Sequence, residues 1–177
     1  MPPMVDITDK LPANLQPWGR IISFWADFYQ LDPFILAGVM QCETQGGQAP
    51  GLDVQGPSGR GDGGHGHGLM QVDDRFHASM VACLLGDATR AWANPAFNVG
   101  FGASILADFL RHLAGDYPAA ICAYNAGEGA ARGALAGLPD DASIAARVAA
   151  LDQVTATKRY VSDVLSHRTQ FAGLGTP

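Results

Sequence analysis

A glutamate that closes an apolar helix face is the first residue in this chain able to do chemistry. Glu43 follows Leu36, Val39 and Met40 at spacings of seven, four and three residues, so all four share one helix face. A carboxylate at the end of a buried face loses water, and the negative helix terminus adds to the cost of its charge. Both effects raise its pKa, as a general acid near neutral pH requires. A glutamate that merely reaches solvent at a helix end is the competing reading. Two more carboxylates follow. Asp62 lies among glycines, and Asp73 follows the apolar segment Gly68-Leu69-Met70-Gln71-Val72. Acid-catalysed glycosidic cleavage uses a second carboxylate to activate water or stabilise positive charge; aspartates in glycine loops are also ordinary turn formers. Ala123-Tyr124-Asn125-Ala126-Gly127 supplies a polar platform, in which tyrosine can stack on a sugar and asparagine suits an N-acetyl group.

The elements that must position these residues read as helices. Residues 1–14 form an extended lead-in with three prolines. Trp18, Ile21, Ile22, Trp25, Phe28 and Tyr29 fall on one helical face. Asp32-Pro33 caps a helix running Phe34 to about Thr44, which Gly46-Gly47 stops. Residues 46–68 make a glycine-rich loop too long to be an inert connector, and Gly68–Val72 a short strand or turn. Further helices are expected over Met80–Leu85, from Asn94-Pro95 with Phe97, Phe101, Ile105, Phe109 and Leu113 buried, from Pro118 to Ala126, over Ala130–Leu135, Ser143–Leu151 and Lys158–Phe171. The last carries Val161, Val164, Leu165 and Arg168 on one side. Strands do not alternate with helices, so no parallel sheet is expected. Residues 15–172 read as one domain and 173–177 as a flexible tail.

At 177 residues, with a net charge of −6 and 47% hydrophobic residues, the chain is neither disordered nor a nucleic-acid binder. No apolar run is long enough to span a membrane. No signal peptide is visible, so export by another route, phage-lysin-type release or a trimmed leader is expected. Only Glu43 and Glu128 are glutamates among 17 acids. Cys42, Cys83 and Cys122 lack paired spacing and read as buried thiols, with one disulfide left open.

Four blocks in order resemble goose-type lysozymes and their relatives, the soluble lytic transglycosylases. They are Glu43-Thr44 at a helix end, Gly68-Leu69-Met70-Gln71, Ala123-Tyr124-Asn125-Ala126-Gly127, and Tyr160 before the final helix. The goose-type branch is indicated by Asp62 six residues before Gly68, by the unbroken run to Asp73, and by Arg75 and His77 in the spacing D-x-R-x-H. The resemblance covers about residues 33–170. It implies a mainly α (α+β), lysozyme-like domain with a small β region lining a substrate groove. It implies Glu43 as general acid, Asp73 and Asp62 as the pair that positions water, and Tyr160 as the hydroxyl that orients Glu43. Gln71, Tyr124, Asn125 and His77 would line the groove. The implied partner is bacterial cell-wall peptidoglycan, cut at the β-1,4 bond between N-acetylmuramic acid and N-acetylglucosamine by a monomer without cofactor or metal. Departures are Thr44 where serine is common, His65 and His67 in the loop, and the acidic net charge.

Both aspartates favour a hydrolase over a lytic transglycosylase, whose substrate hydroxyl attacks to give a 1,6-anhydro product. Hydrolysis would invert, with carboxyls roughly 6.5–9.5 Å apart. Other readings are a metal module on Asp62, His65, His67 and His77, a non-catalytic glycan-binding protein, and a Cys42 nucleophile.

Overall fold

The helix carrying Glu43 lies at the centre of the fold. The computed structural model describes residues 4–86 and 88–173, and the side chains of all of these but 83–85 and 88–89. Its elements are α1 (Gly19–Tyr29), α2 (Pro33–Thr44), β1 (Arg60–Gly61), β2 (Gly66–His67), β3 (Val72–Asp73), α3 (Asp74–Leu85), α4 (Ala88–Ala93), α5 (Pro95–His112), α6 (Tyr117–Ala126), α7 (Glu128–Ala136), α8 (Ile144–Val154) and α9 (Tyr160–Phe171). The architecture is the expected mainly helical, lysozyme-like one with a small β region. No helix among the described residues is long and apolar enough to cross a membrane. Residues 174–177 of the expected tail lie outside the described residues.

Asp32 caps α2 as its sequence demands: its Oδ1 accepts from the Phe34 and Ile35 amides at 2.8 and 3.4 Å. Leu36, Val39 and Met40 are fully buried, each contributing about 1.5–3 kcal/mol. Gly38 lets α9 approach closely, since a Cβ there would stand 2.9 Å from the Val164 carbonyl oxygen. This close approach brings the start of α9 against the end of α2.

The glycine-rich excursion folds into a three-stranded antiparallel sheet of order β1-β2-β3. Arg60 pairs with His67 and Gly61 with Gly66; Gly66 also pairs with Asp73 and His67 with Val72. Leu69 and Met70 form the buried turn between β2 and β3.

Four expectations are corrected. The lead-in is not simply extended: a 3-10 turn covers Thr8–Lys10, and Ile7, Leu11 and Leu15 are buried. It braces the end of α2, with Asn14 Nδ2 donating to Gln41 Oε1 and the Gln45 carbonyl at 2.8 and 2.9 Å. Helix α1 turns a different face inward. Gly19, Ile22, Ser23 and Ala26 are buried, while Phe28 is 64% exposed. Its small residues admit the 3-10 turn, as a Cβ on Gly19 would strike Thr8. Helix α5 likewise buries Asn98, Val99, Gly102, Ala103 and Leu106, leaving Phe97, Phe101, Ile105 and Phe109 half-buried. The third helix starts at Asp74 rather than Met80, because Asp73 caps it.

Candidate active site

Glu43 ends α2, and Tyr160 begins α9. The Tyr160 hydroxyl donates a hydrogen bond to Glu43 Oε1. Tyr160 is 4% exposed, so it lies behind the carboxyl rather than in the groove. Burial pushes the Glu43 pKa up to about 7, and the Tyr160 hydrogen bond partly opposes this. The carboxyl is thus poised to give and to recover a proton near neutral pH. Burial, with the Glu43 charge nearby, pushes both Tyr160 and Tyr124 well above the usual phenol range, so both hydroxyls remain donors.

The Tyr160→Phe variant tests this pair. Without the hydrogen bond to the charged form, the Glu43 pKa rises further. A general acid works while protonated, so the fall of activity at high pH moves to higher pH. The freed carboxyl loses its orientation, lowering kcat about tenfold. A pH–rate profile with an unmoved alkaline limb would refute the coupling.

The sheet and its turn form the opposite wall. Thr44 ties them to α2: its hydroxyl donates to the Leu69 carbonyl at 2.8 Å and accepts from the Gly47 amide at 3.1 Å. These two bonds use only the hydroxyl, which threonine supplies as serine would. Gln71 lies under the hairpin, donating to the Gly68 carbonyl at 2.8 Å. Gly61 and Gly66 make room for it, since a Cβ on either would stand 2.5 or 2.6 Å from Gln71 Oε1.

A cleft of about 460 Å³ contains Glu43, Asp62, Gln71, Asp73, Tyr124 and Asn125 in its lining. Six of the eight candidate residues are therefore brought together. His77 lines an adjoining cleft of about 500 Å³ that shares Gln71, Asp73, Tyr124 and Asn125, and burial lowers its pKa. Tyr124 donates to the Met70 carbonyl at 2.9 Å, and Asn125 Oδ1 accepts from the Ala156 amide at 2.9 Å. Both side chains are thereby fixed at the groove wall.

Residues 20–141 match the family described as "Transglycosylase SLT domain". The chain belongs to that family. A solved structure of an inactive glutamate-to-glutamine mutant of the lytic transglycosylase Slt from Pseudomonas aeruginosa is similar in fold, with a TM-score of 0.67 and 22% identity. The match covers 89% of this chain and 25% of that one, so this chain spans about a quarter of its length.

Four further residues in this member of the SLT family matter that no motif singled out for a role. Arg75 Nε donates to both Asp73 carboxylate oxygens at 2.9 and 3.0 Å. Its Nη2 reaches Asp73 Oδ2 and Asp62 Oδ2, each at 2.5 Å. These hydrogen bonds hold the Asp73 carboxyl below the usual range. Asp74 takes His65 Nδ1 and His67 Nε2 on its two oxygens, each at 2.9 Å. The histidines thus brace the sheet onto α3, and among the described residues no group of three or more His, Cys, Asp and Glu is arranged to hold a metal. Asp152, buried on α8, accepts from the Val161 amide at 2.8 Å and from Ser162, capping α9 beside Tyr160. Asn98, buried on α5, holds the turn that bears Gln71. Its one legible signal was a polar residue inside an apolar helical run.

Cys42 does not join the site chemistry. Burial pushes its thiol up to about 12, which leaves it a thiol rather than a nucleophilic thiolate at neutral pH. Cys42 and Cys122 are free; the Cys83 side chain lies outside the described residues.

Proposed function

We propose that this chain cleaves the glycan strands of peptidoglycan as a lytic transglycosylase. The bond cut joins N-acetylmuramic acid to N-acetylglucosamine, which places its work in the periplasm or outside the cell. The carrying observation is the division of labour among the cleft's carboxyls: Glu43 is pushed up to about 7, whereas Asp62 and Asp73 are both held by Arg75. One carboxyl is fit for proton transfer, and the other two are paired with a cation. Membership of the SLT family and likeness in fold to a lytic transglycosylase support the same reading.

Glu43 gives its proton to the glycosidic oxygen, and the bond from that oxygen to the anomeric carbon breaks. The glutamate then takes the proton from the muramic acid 6-hydroxyl as that oxygen bonds to the anomeric carbon. A 1,6-anhydro end forms, no water is consumed, and Glu43 is again protonated. Tyr160 orients the carboxyl through its Oε1. Gln71, Tyr124 and Asn125 line the cleft and contact the sugars, and His77 extends the groove.

A second reading, hydrolysis, is favoured by Asp62 and Asp73 lining the same cleft. Mass analysis of muropeptides released from purified peptidoglycan separates the two. Anhydro ends, one water lighter than hydrolysed ends, are expected to dominate. Predominantly hydrolysed ends would reverse the choice, and no release of either would end the enzymatic reading.

A further inference from the structure

We propose that Asp152 is a positioning residue of this reaction: from α8 it sets the place of Tyr160 behind the acid and of Asn125 on the groove wall. The inference rests on the reading that Glu43 is the acid with which this cleft cuts peptidoglycan.

Helix α9 begins without a cap of its own. The first amides of a helix have no partner within it, and the side chain just before the helix commonly accepts from the second or third. Here that residue is Arg159, whose guanidinium can only donate and turns to Asp163 at 3.3 Å. Asp152 fills the gap from another helix. Its Oδ1 accepts from the Val161 and Ser162 amides at 2.8 and 3.3 Å, and its Oδ2 accepts from the Ser162 hydroxyl. Those amides are the second and third of α9. Tyr160 is the first residue of the same helix, so the cap fixes where its hydroxyl meets Glu43.

The same residue holds the segment that precedes the helix. The Asp152 carbonyl accepts from the Thr155 amide and hydroxyl at 3.1 and 2.8 Å, and Thr155 is buried. The next residue, Ala156, lines the cleft with Glu43 and gives its amide to Asn125 Oδ1 at 2.9 Å. Asp152 thus holds both ends of the connection from α8 to α9. One end meets the partner of the acid, and the other meets a groove residue.

The titratable and charged groups around Glu43 are Tyr160 from α9, Tyr124 from α6, Cys42 on α2 itself, and Asp62, Asp73 and Arg75 across the cleft. Among the described residues, Tyr160 is the one that hydrogen-bonds the carboxyl, and this bond favours its charged form. Loosening the start of α9 therefore makes Glu43 hold its proton to higher pH while it loses orientation. Loosening Ala156 frees Asn125 and weakens the hold on substrate.

The test uses the full chain and soluble muropeptide chains, with kcat and KM measured across pH. Asp152→Ala is expected to move the alkaline limb up by about half a pH unit. It should also lower kcat about fivefold and raise KM about threefold. Added to Tyr160→Phe, the same change should move the limb no further but still raise KM. Asp152→Asn keeps an acceptor for both amides and should restore the parental limb and KM. Simple destabilisation would reduce the active fraction without moving the limb. If Asp152→Ala does not fold, Asp152→Ser, too short to reach α9, takes its place with shifts in the same directions. An unmoved limb or an unchanged KM in the folded variant overturns the inference. So does a limb that moves equally with and without the Tyr160 hydroxyl, or an Asp152→Asn variant as impaired as Asp152→Ala. Wild-type protein that releases no muropeptides is a different result, and overturns the underlying reading instead.

Discussion

Glu43→Gln is expected to lower muropeptide release by a factor of roughly 10² to 10⁴, the range carried by a well-placed general acid. Glutamine keeps the length of the side chain and an oxygen for the Tyr160 hydroxyl, so the packing around the end of α2 is preserved. What is lost is the proton. The variant is also expected to fold at least as well as the parent. The Glu43 pKa stands at about 7 against an ordinary 4.5, so the folded state binds the proton more tightly than the unfolded chain. The stability that this provides is fully present below about 4.5 and is lost as pH rises through about 7. Glutamine, neutral throughout, avoids that loss. From pH 4.5 to 8, the variant should gain up to about 3 kcal/mol relative to the parent. Mass-detected release and denaturant unfolding at the two pH values measure both effects. Release above a tenth of the parental rate would remove Glu43 from its role.

The residues that make this site differ in how openly the sequence displays them. Local signals were reliable. Asp32-Pro33 and Asn94-Pro95 start helices because a cap and a fixed φ act within three residues. The Glu43–Tyr160 pair joins residues 117 apart. No spacing argument reaches that far, and only the resemblance suggested it. Asp62 and Asp73 were visible as carboxylates, but their shared partner was not. An arginine two residues past a helix cap can point to solvent as readily as back onto the cap. The inward faces of α1 and α5 were misread for a different reason. Hydropathy follows large side chains, whereas close packing there depends on small ones. Gly100 lies against the Trp25 ring, and Gly102 against Met70 and Tyr124. The large residues at the margin of the core are not wasted: Ile105 and Phe109 line the groove's extension. The cleft therefore draws on a face that periodicity assigned wholly to the core.

Asn98→Leu is expected to be among the most damaging substitutions outside the chemistry. Asn98 is fully buried on α5. Its Oδ1 accepts from the Met70 amide at 2.9 Å, and its Nδ2 donates to the His67 carbonyl at 2.9 Å. One side chain thus closes both ends of the turn that joins β2 to β3. Leucine fills a similar volume and is more apolar, so area alone predicts a gain. The backbone decides otherwise. A buried donor and a buried acceptor would lose their partner, at about 1–3 kcal/mol each. A loss of about 2–5 kcal/mol follows, and for a chain of this length that is a fall in Tm of roughly 5–15 °C. The turn has no easy way to relax. Gly68 has φ 70°, and a Cβ there would stand 2.4 Å from Asn98 Nδ2, so the backbone already sits tight against this side chain. Movement of the turn would carry Gln71 and the Met70 carbonyl with it. That carbonyl is the anchor of Tyr124, so substrate binding should weaken together with stability, raising KM more than it lowers kcat. Thermal unfolding and kinetics on soluble muropeptide chains test both halves. A Tm within 2 °C of the parent would show that the turn is held by something other than Asn98.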